Sequence, residues 1–293
     1  MTPQVVAIGE VLWDMLPAGK QLGGAPANFA VHAAELGLSA ALISRVGRDA
    51  LGEQIHARFQ SRGLPTDTLQ IDPAAPTGTV DVTVDAAGQP MYTIQEHAAW
   101  DFLAVTPEAY GAMEDAFAVC FGSLGQRSMA ARSTVRELLS LPTLLADLRM
   151  FDVNLRPPFW TPEVIKQSLL LANSLKLNDH ELPILADQFG IAGNDCKRLK
   201  GLAEKFNLKL VALTRGAHGS LLLADGQWSD HPGVPVTVQD AVGAGDAFTA
   251  ALVVGWLRGR DLDEINDHAN RVAAYVCSQR GATPDLPESL KLI

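Results

Sequence analysis

The stretch DAVGAGDAF, residues 240–248, places two glycines, two aspartates and three alanines in nine positions. It makes a poor hydrophobic core and a poor linker. The run AFTAALVVGWLRG, which begins at Ala247, reads as an apolar helix. A helix start leaves backbone N–H groups unpaired and carries partial positive charge. Gly243 and Gly245 stand where the backbone must come close to a ligand. The segment is therefore a seat for a phosphate or a developing oxyanion. Asp246 falls in the first helical turn beside that seat. A carboxylate there can take the proton of a hydroxyl that attacks a bound phosphoryl group. The plainer alternative is a glycine turn followed by an acid favoured by the helix dipole. The GxxxxGK[ST] phosphate loop is absent, and Phe248 occupies the third glycine's place of the dinucleotide G-x-G-x-x-G pattern.

Upstream of this stretch, short β-rich runs alternate with helical ones. VVAIG (5–9), AALISRVG (40–47), AVCFGSL (118–124), MFDVN (150–154), LKLN (175–178) and LKLVALT (208–214) read as strands. APANFAVHAAELG (25–37), ALGEQIHARFQSRG (50–63) and stretches near 129–140, 162–172 and 179–189 read as helices. SLLLA (220–224) and the strand-like VPVTV (234–238) follow, then helices near 244–258 and 262–280. Such alternation predicts an α/β fold with a mostly parallel sheet covered on both faces. One region departs from it. TGTVDVTVDAAGQPMYTIQ (77–95) is two alternating runs around a glycine-containing turn, a β-hairpin pattern. A hairpin inserted into a βα series is an edge addition or a lid. Between Arg62 and Arg127 there is no Lys or Arg, and nine acids fall in that interval. A substrate under such a lid is not strongly anionic.

Four further clusters carry chemistry. In QLGGAPANFA (21–30), Gly23 and Gly24 precede a helix whose first turns hold Asn28, a donor and acceptor suited to sugar hydroxyls. Asp14 follows the first strand, and open α/β sheets bind ligands at the carboxyl ends of their strands. In FDVNLRPPFW (151–160), Asp152, Asn154 and Arg156 alternate at a strand exit, and Arg156 can meet a phosphate bidentately. In LNDHEL (177–182), Asn178 and Glu181 pair an amide with an acid, able to hold hydrated Mg²⁺ or simply to start a helix. LTRGAHGS (213–220) sets Gly216 and Gly219 between two strands, as a ligand loop or a plain turn.

Composition narrows the partners. A formal charge of −10 disfavours nucleic acid and anionic membrane, which need Lys and Arg. No run of about 18 uncharged apolar residues exists to span a bilayer. The N-terminal stretch has no basic region and does not read as a signal peptide. Cys120, Cys196 and Cys277 are widely spaced and read as reduced thiols of a cytoplasmic protein.

Taken together and in order, these pieces resemble the ribokinase-like (PfkB) family of carbohydrate kinases, over essentially the whole chain. DAVGAGDAF resembles the family's C-terminal signature, and GGAPANFAVHAAELG with RVGRDALG resembles its N-terminal one. The resemblance implies a single kinase domain over residues 1–293, with a small β-lid formed by about 10–24 and 77–103. It implies ATP and Mg²⁺ as cofactors. Asp246 would be the base, Gly243, Ala244 and Gly245 the anion hole, and Arg156 a contact to the transferring phosphate. Asp14, Gly23, Gly24 and Asn28 would hold sugar hydroxyls. Thr214, Gly216 and Gly219 would lie along ATP, with Asn270 near the adenine. Asn178 and Glu181 would organise Mg²⁺ through water, and Asp240 with the carbonyls of Val242 and Gly281 a K⁺ ion. GGAPANFA, DVNLRPPFW and YTIQEHAAWDFL look most like fructokinases. Two departures stand against that: Ala241 replaces the family's common threonine, and QEHAAWD lacks the arginine many fructokinases carry in the lid. Ribose, 2-keto-3-deoxygluconate or a nucleoside stay open as substrates. A non-catalytic sugar or nucleotide sensor is the alternative of another class, and a dinucleotide-dependent oxidoreductase lacks its fingerprint. The edges of the lid hairpin suit a homodimer.

Overall fold

The computed structural model describes residues 4–16, 19–84 and 90–291. Among the described residues, thirteen strands form two sheets. In chain order they are β1 (Gln4–Ile8), β2 (Leu12–Leu16), β3 (Gly19–Gly23), β4 (Ser39–Gly47), β5 (Leu69–Asp72), β6 (Gly78–Val84), β7 (Pro90–Ile94), β8 (Ala116–Gly122), β9 (Leu148–Asp152), β10 (Ser174–Asn178), β11 (Leu210–Thr214), β12 (Ser220–Ala224) and β13 (Gln227–His231). The helices are α1 (Ala25–Glu35), α2 (Ala50–Ser61), α3 (Pro107–Glu114), α4 (Met129–Leu139), α5 (Pro162–Leu171), α6 (Glu181–Gln188), α7 (Asp195–Phe206), α8 (Ala244–Leu257), α9 (Leu262–Cys277) and α10 (Glu288–Lys291).

The large sheet has the order β13-β12-β11-β10-β9-β8-β1-β4-β5. It is parallel from β11 to β5 and antiparallel only at β12 and β13. Its buried strands alternate their side chains between two cores. Val5 and Ala7 of β1 face a core with α1, α8 and α9; Val6 and Ile8 face one with α4, α5, α6 and α7. Helix α8 is the inner one. Every residue from Ala247 to Gly255 is buried, so it is apolar all round instead of along one stripe.

The second sheet is small, in the order β3-β2-β6-β7. Strands β6 and β7 form the expected hairpin, with Val80 opposite Ile94. Its predicted turn lies outside the described residues. The hairpin adds to the large sheet at no edge; β6 pairs in parallel with β2, Leu12 opposite Gly78.

Two expectations are corrected. VPVTV is not a strand: residues 232–239 have no regular structure. Pro232 and Pro235 have no N–H to donate to a ladder, and Val234, Val236 and Val238 are exposed. The alternation of Asp152, Asn154 and Arg156 also fails. Strand β9 ends at Asp152, and Asn154 turns to φ 41° in the left-handed region. Helices α3, α7 and α10 and strands β2, β3, β5 and β13 were not anticipated.

Candidate active site

Gly243 caps α8 from the left-handed region, at φ 80°. A Cβ there would lie 2.4 Å from the carbonyl oxygen of Ala282, so neither sterics nor backbone geometry admits another residue. The first turn of α8 carries no side-chain cap. Among the described residues, the amides of Gly245 and Asp246 find no acceptor. They are the unpaired donors that an anion seat requires.

Asp246 keeps part of its surface open, yet its carboxylate is surrounded by protein. Burial pushes its pKa up to about 7, helped by the charge of Asp152 and opposed by Asn28, Lys176 and Arg156. Asn28 Nδ2 donates to Asp246 Oδ2 at 2.8 Å, joining α1 to α8 across 218 positions of sequence. The Asn28 Oδ1 atom is buried without a partner.

Three more acids and two cations belong to the cluster. Glu10, at the exit of β1, is 2% exposed. Its Oε1 accepts the Ala25 amide at 3.2 Å, and its Oε2 is buried without a donor. Burial raises its pKa to about 7, with the Asp246 charge adding to the rise. Asp14 lies on β2 opposite Gln21, and burial raises it to about 6 against the pull of Arg156. A Cβ on Gly23 would come within 2.4 Å of Asp14 Oδ2, and one on Gly24 within 2.6 Å of the Glu10 carbonyl oxygen. Gly23 therefore makes room for the Asp14 carboxylate, and Gly24 for the backbone after β1. Arg156 is exposed and makes no ion pair among the described residues; its charge lowers the pKa of Asp14, Glu10 and Asp246 alike.

Beneath the turn, Lys176 Nζ meets Asp152 Oδ1 at 3.1 Å, both side chains buried. Thr249 Oγ1 is 2.9 Å from both Asp152 Oδ2 and the Gly245 carbonyl oxygen. A Cβ on Gly245 would lie 3.0 Å from Lys176 Nζ. Burial works against the Lys176 charge, but Asp152, Glu181 and Asp246 outweigh it and raise the pKa. Sequence reasoning missed both Glu10 and Lys176. The signal for Glu10 was its place directly after β1. For Lys176 there was none, since a lysine in a strand reads as a surface residue.

The remaining expected residues are engaged as follows. Glu181 accepts the Leu155 amide at Oε1 (2.8 Å) and the Asn178 amide at Oε2 (2.9 Å). Asn178 Oδ1 accepts the amides of His180 and Glu181. Each Glu181 oxygen keeps a lone pair, whereas Asn178 Oδ1 has both engaged, and no group of three or more His, Cys, Asp or Glu among the described residues could hold a metal. This donor set fits a hydrated Mg²⁺ and not a dedicated protein cage. Thr214 is 3.4 Å from the Leu177 carbonyl oxygen. Gly216 and Gly219 have φ 55° and 75°; a Cβ on Gly219 would strike the His231 carbonyl oxygen at 2.0 Å, so packing alone demands that glycine. Asn270 is buried, with Nδ2 bonded to Ser220 Oγ and to Asn266. Asp240 ties two loops together, accepting the Val242 amide at 3.0 Å and the Gly281 amide at 3.1 Å.

A base among these groups must be ionised to act. We expect kcat/KM to fall below an apparent pKa near 7 that belongs to the Glu10–Asp246 pair. Asn28→Leu removes a hydrogen bond that favours charged Asp246, so its acid limb should move to higher pH. A pH–rate profile of the two proteins checks both; an unmoved limb in the variant would sever Asn28 from the titration.

Known proteins extend this picture. The profile of the pfkB family carbohydrate kinases matches residues 17–289. An uncharacterized sugar kinase from Pyrococcus horikoshii is 31% identical and superposes with a TM-score of 0.82, over 96% of this chain and 93% of that one. It has also been solved in complex with ATP. An Escherichia coli fructokinase is 29% identical over 98% of this chain and 97% of its own. The aminoimidazole riboside kinase of Salmonella enterica, solved with aminoimidazole riboside and an ATP analogue, is 26% identical with a TM-score of 0.80, covering 98% of each chain.

Proposed function

The chain belongs to the pfkB family of carbohydrate kinases, and from that premise we propose that it transfers the γ-phosphate of ATP to a hydroxyl of a neutral sugar, fructose before others. The observation that carries this reading is Asp246, bonded to Asn28 and placed one residue after a glycine turn with unpaired amides.

Asp246 takes the proton of the attacking hydroxyl. Its raised pKa suits a base working near neutrality. The amides of the Gly243–Gly245 turn receive the charge that develops on the transferring and leaving oxygens. Arg156, exposed and making no ion pair among the described residues, meets the phosphate. Asp14 and Asn28 orient the sugar, with Gly23 and Gly24 clearing the space beside them. Thr214, Gly216 and Gly219 line the nucleotide, with Asn270 behind the adenine. Bound Mg²⁺ would neutralise phosphate charge, held by Asn178 and Glu181 through water. Asp240 with the Val242 and Gly281 carbonyls is the seat proposed for K⁺. The small sheet is the lid over the sugar, and its edges β3 and β7 are where a second copy would pair. Reduced thiols and a cytoplasmic location accompany the reading; no helix among the described residues is long and apolar enough to cross a membrane.

Fructose is favoured by the Escherichia coli relative and by a lid interval without cations. The aminoimidazole riboside kinase supports a nucleoside as the second reading. The deciding experiment is ADP release with Mg²⁺-ATP on fructose, ribose, glucose, 2-keto-3-deoxygluconate, adenosine and fructose phosphates. A strong preference for fructose is expected. Preference for adenosine would move the assignment to nucleosides, and turnover of a fructose phosphate would overturn the neutral-substrate reading.

A further inference from the structure

Beside the candidate active site, and sharing Gly281 with it, a pocket of about 150 Å³ opens at the edge strand β3. Trp13 and Lys20 come from β2 and β3, Arg58 from α2, and Arg280 with Gly281 from the loop after α9. Trp13 adjoins Asp14 on β2 and so projects to the opposite face from it; its Nε1 donates to the Leu51 carbonyl at 3.1 Å, toward α2. Lys20 pairs with Met15, which shares Trp13's face. Lys20 therefore shares the Trp13 face of the small sheet, away from Asp14, while Gln21, which pairs with Asp14, closes the pocket against Gly281.

The charge balance of this pocket is unlike that of the chain. Acids outnumber Lys and Arg by 33 to 23, yet no Asp or Glu lines it. Among the described residues none of the three cations makes an ion pair, and the Arg58 and Arg280 guanidinium groups make no hydrogen bond. Lys20 Nζ has only the Trp13 ring, 5.2 Å from its centroid. Like charges gathered without partners repel, and an anion among them relieves the repulsion. Two guanidinium forks and an ammonium around one small space match a tetrahedral oxyanion. The volume equals about five waters at roughly 30 Å³ each. That is room for a phosphate group or a short phosphate ester.

We propose that Lys20, Arg58 and Arg280 form a second anion site, distinct from the phosphoryl-transfer site, that binds a phosphate group, either free or on a short phosphate ester. Its loop is the one on which the glycine turn rests. The Gly281 amide bonds Asp240, and Ala282 packs against Gly243. An anion held by Arg280 braces this loop.

The test is calorimetric titration of the full chain with orthophosphate, with the nucleotide site filled by a non-hydrolysable ATP analogue and Mg²⁺, at ionic strength matched with NaCl. Saturable binding is expected, with a melting temperature raised by phosphate and not by chloride. The Arg58→Gln/Arg280→Gln variant should weaken binding at least tenfold while its turnover stays within about twofold of wild type. Lys20→Gln, at an exposed position, gives the same reading should the double variant fail to fold. Tighter binding of glycerol 3-phosphate than of orthophosphate identifies an ester as the ligand; the reverse identifies free phosphate. No saturable binding, or equal binding by wild type and variants, overturns the proposal. Binding does not depend on turnover, so failure on the sugar panel leaves this result standing.

Discussion

Asp246→Asn is expected to lower turnover by about 10²–10⁴-fold, the contribution of a general base, while ATP still binds. The amide is isosteric with the carboxylate and keeps a carbonyl oxygen for Asn28 Nδ2, which now bonds Asp246 Oδ2. What it cannot do is accept the hydroxyl proton. The unpaired amides of the turn are backbone groups and stay in place, so the nucleotide side is preserved. Stability should respond in the opposite direction from activity. The folded-state pKa of Asp246 is raised from 3.8 to about 7 by burial. Across that window the folded protein holds a proton that the unfolded chain has released. Wild-type stability from this group is therefore full at low pH and lost as pH rises toward 7. The variant carries no such group, so its melting temperature should gain on wild type from pH 4 to 7 and level off above. ADP release and melting curves across pH measure both effects. Near-normal turnover would remove Asp246 from the role of base, and a pH-independent difference in melting temperature would show that it is not desolvated.

Lys176→Met is expected to be the most destabilising of the substitutions considered. Lys176 and Asp152 are both buried and meet at 3.1 Å. Removing the ammonium strands a carboxylate whose remaining contact is the Thr249 hydroxyl. Breaking a buried pair from one side costs about 3–5 kcal/mol, because the other charge is left uncompensated. At roughly 2–4 °C per kcal/mol for a large domain, melting should fall by on the order of 10 °C. Activity should fall too, since Lys176 Nζ lies under Gly245 and lowers the pKa of Asp246. The double change Lys176→Met/Asp152→Asn removes the stranded charge and should recover part of the stability. A single variant that melts within 2 °C of wild type, or a double variant no better than the single, would show that the pair is not desolvated as the geometry implies.

The candidate site was legible in the sequence wherever a local pattern had a physical cause. Gly243 and Gly24, singled out at the starts of two helices, both sit at positive φ with backbone packed where a side chain would go. Asp246 falls in the first turn of α8 because the apolar run after it sets the helix. Asn178 and Glu181 were legible as a helix start, and their oxygens do hold the local amides. The reach of Asn28 was not legible. It was read for sugar hydroxyls alone, yet its amide nitrogen is bonded to Asp246, which no spacing reveals. Asn154 misled because an alternating DVNLR assumes that the strand continues, and β9 stops at Asp152.

The α/β architecture was determined by the sequence alone. Strands covered on both faces are near-continuous apolar runs, as VVAIG and LVAL (210–213) are, and three of the helices between them, α1, α2 and α6, are followed by a glycine at positive φ. Gly243 was determined in the same way, because no other residue fits its backbone. Tertiary structure alone decided which charges meet. Glu10, Lys176 and Asp152 come from the ends and bodies of separate strands, and the burial that raises Glu10 and Asp246 to about 7 exists only once the sheet and α8 enclose them. It also decided that VPVTV pairs with nothing, and that β6 pairs with β2. Strand pairing and desolvation are properties of neighbours far apart in sequence, which a linear pattern does not contain.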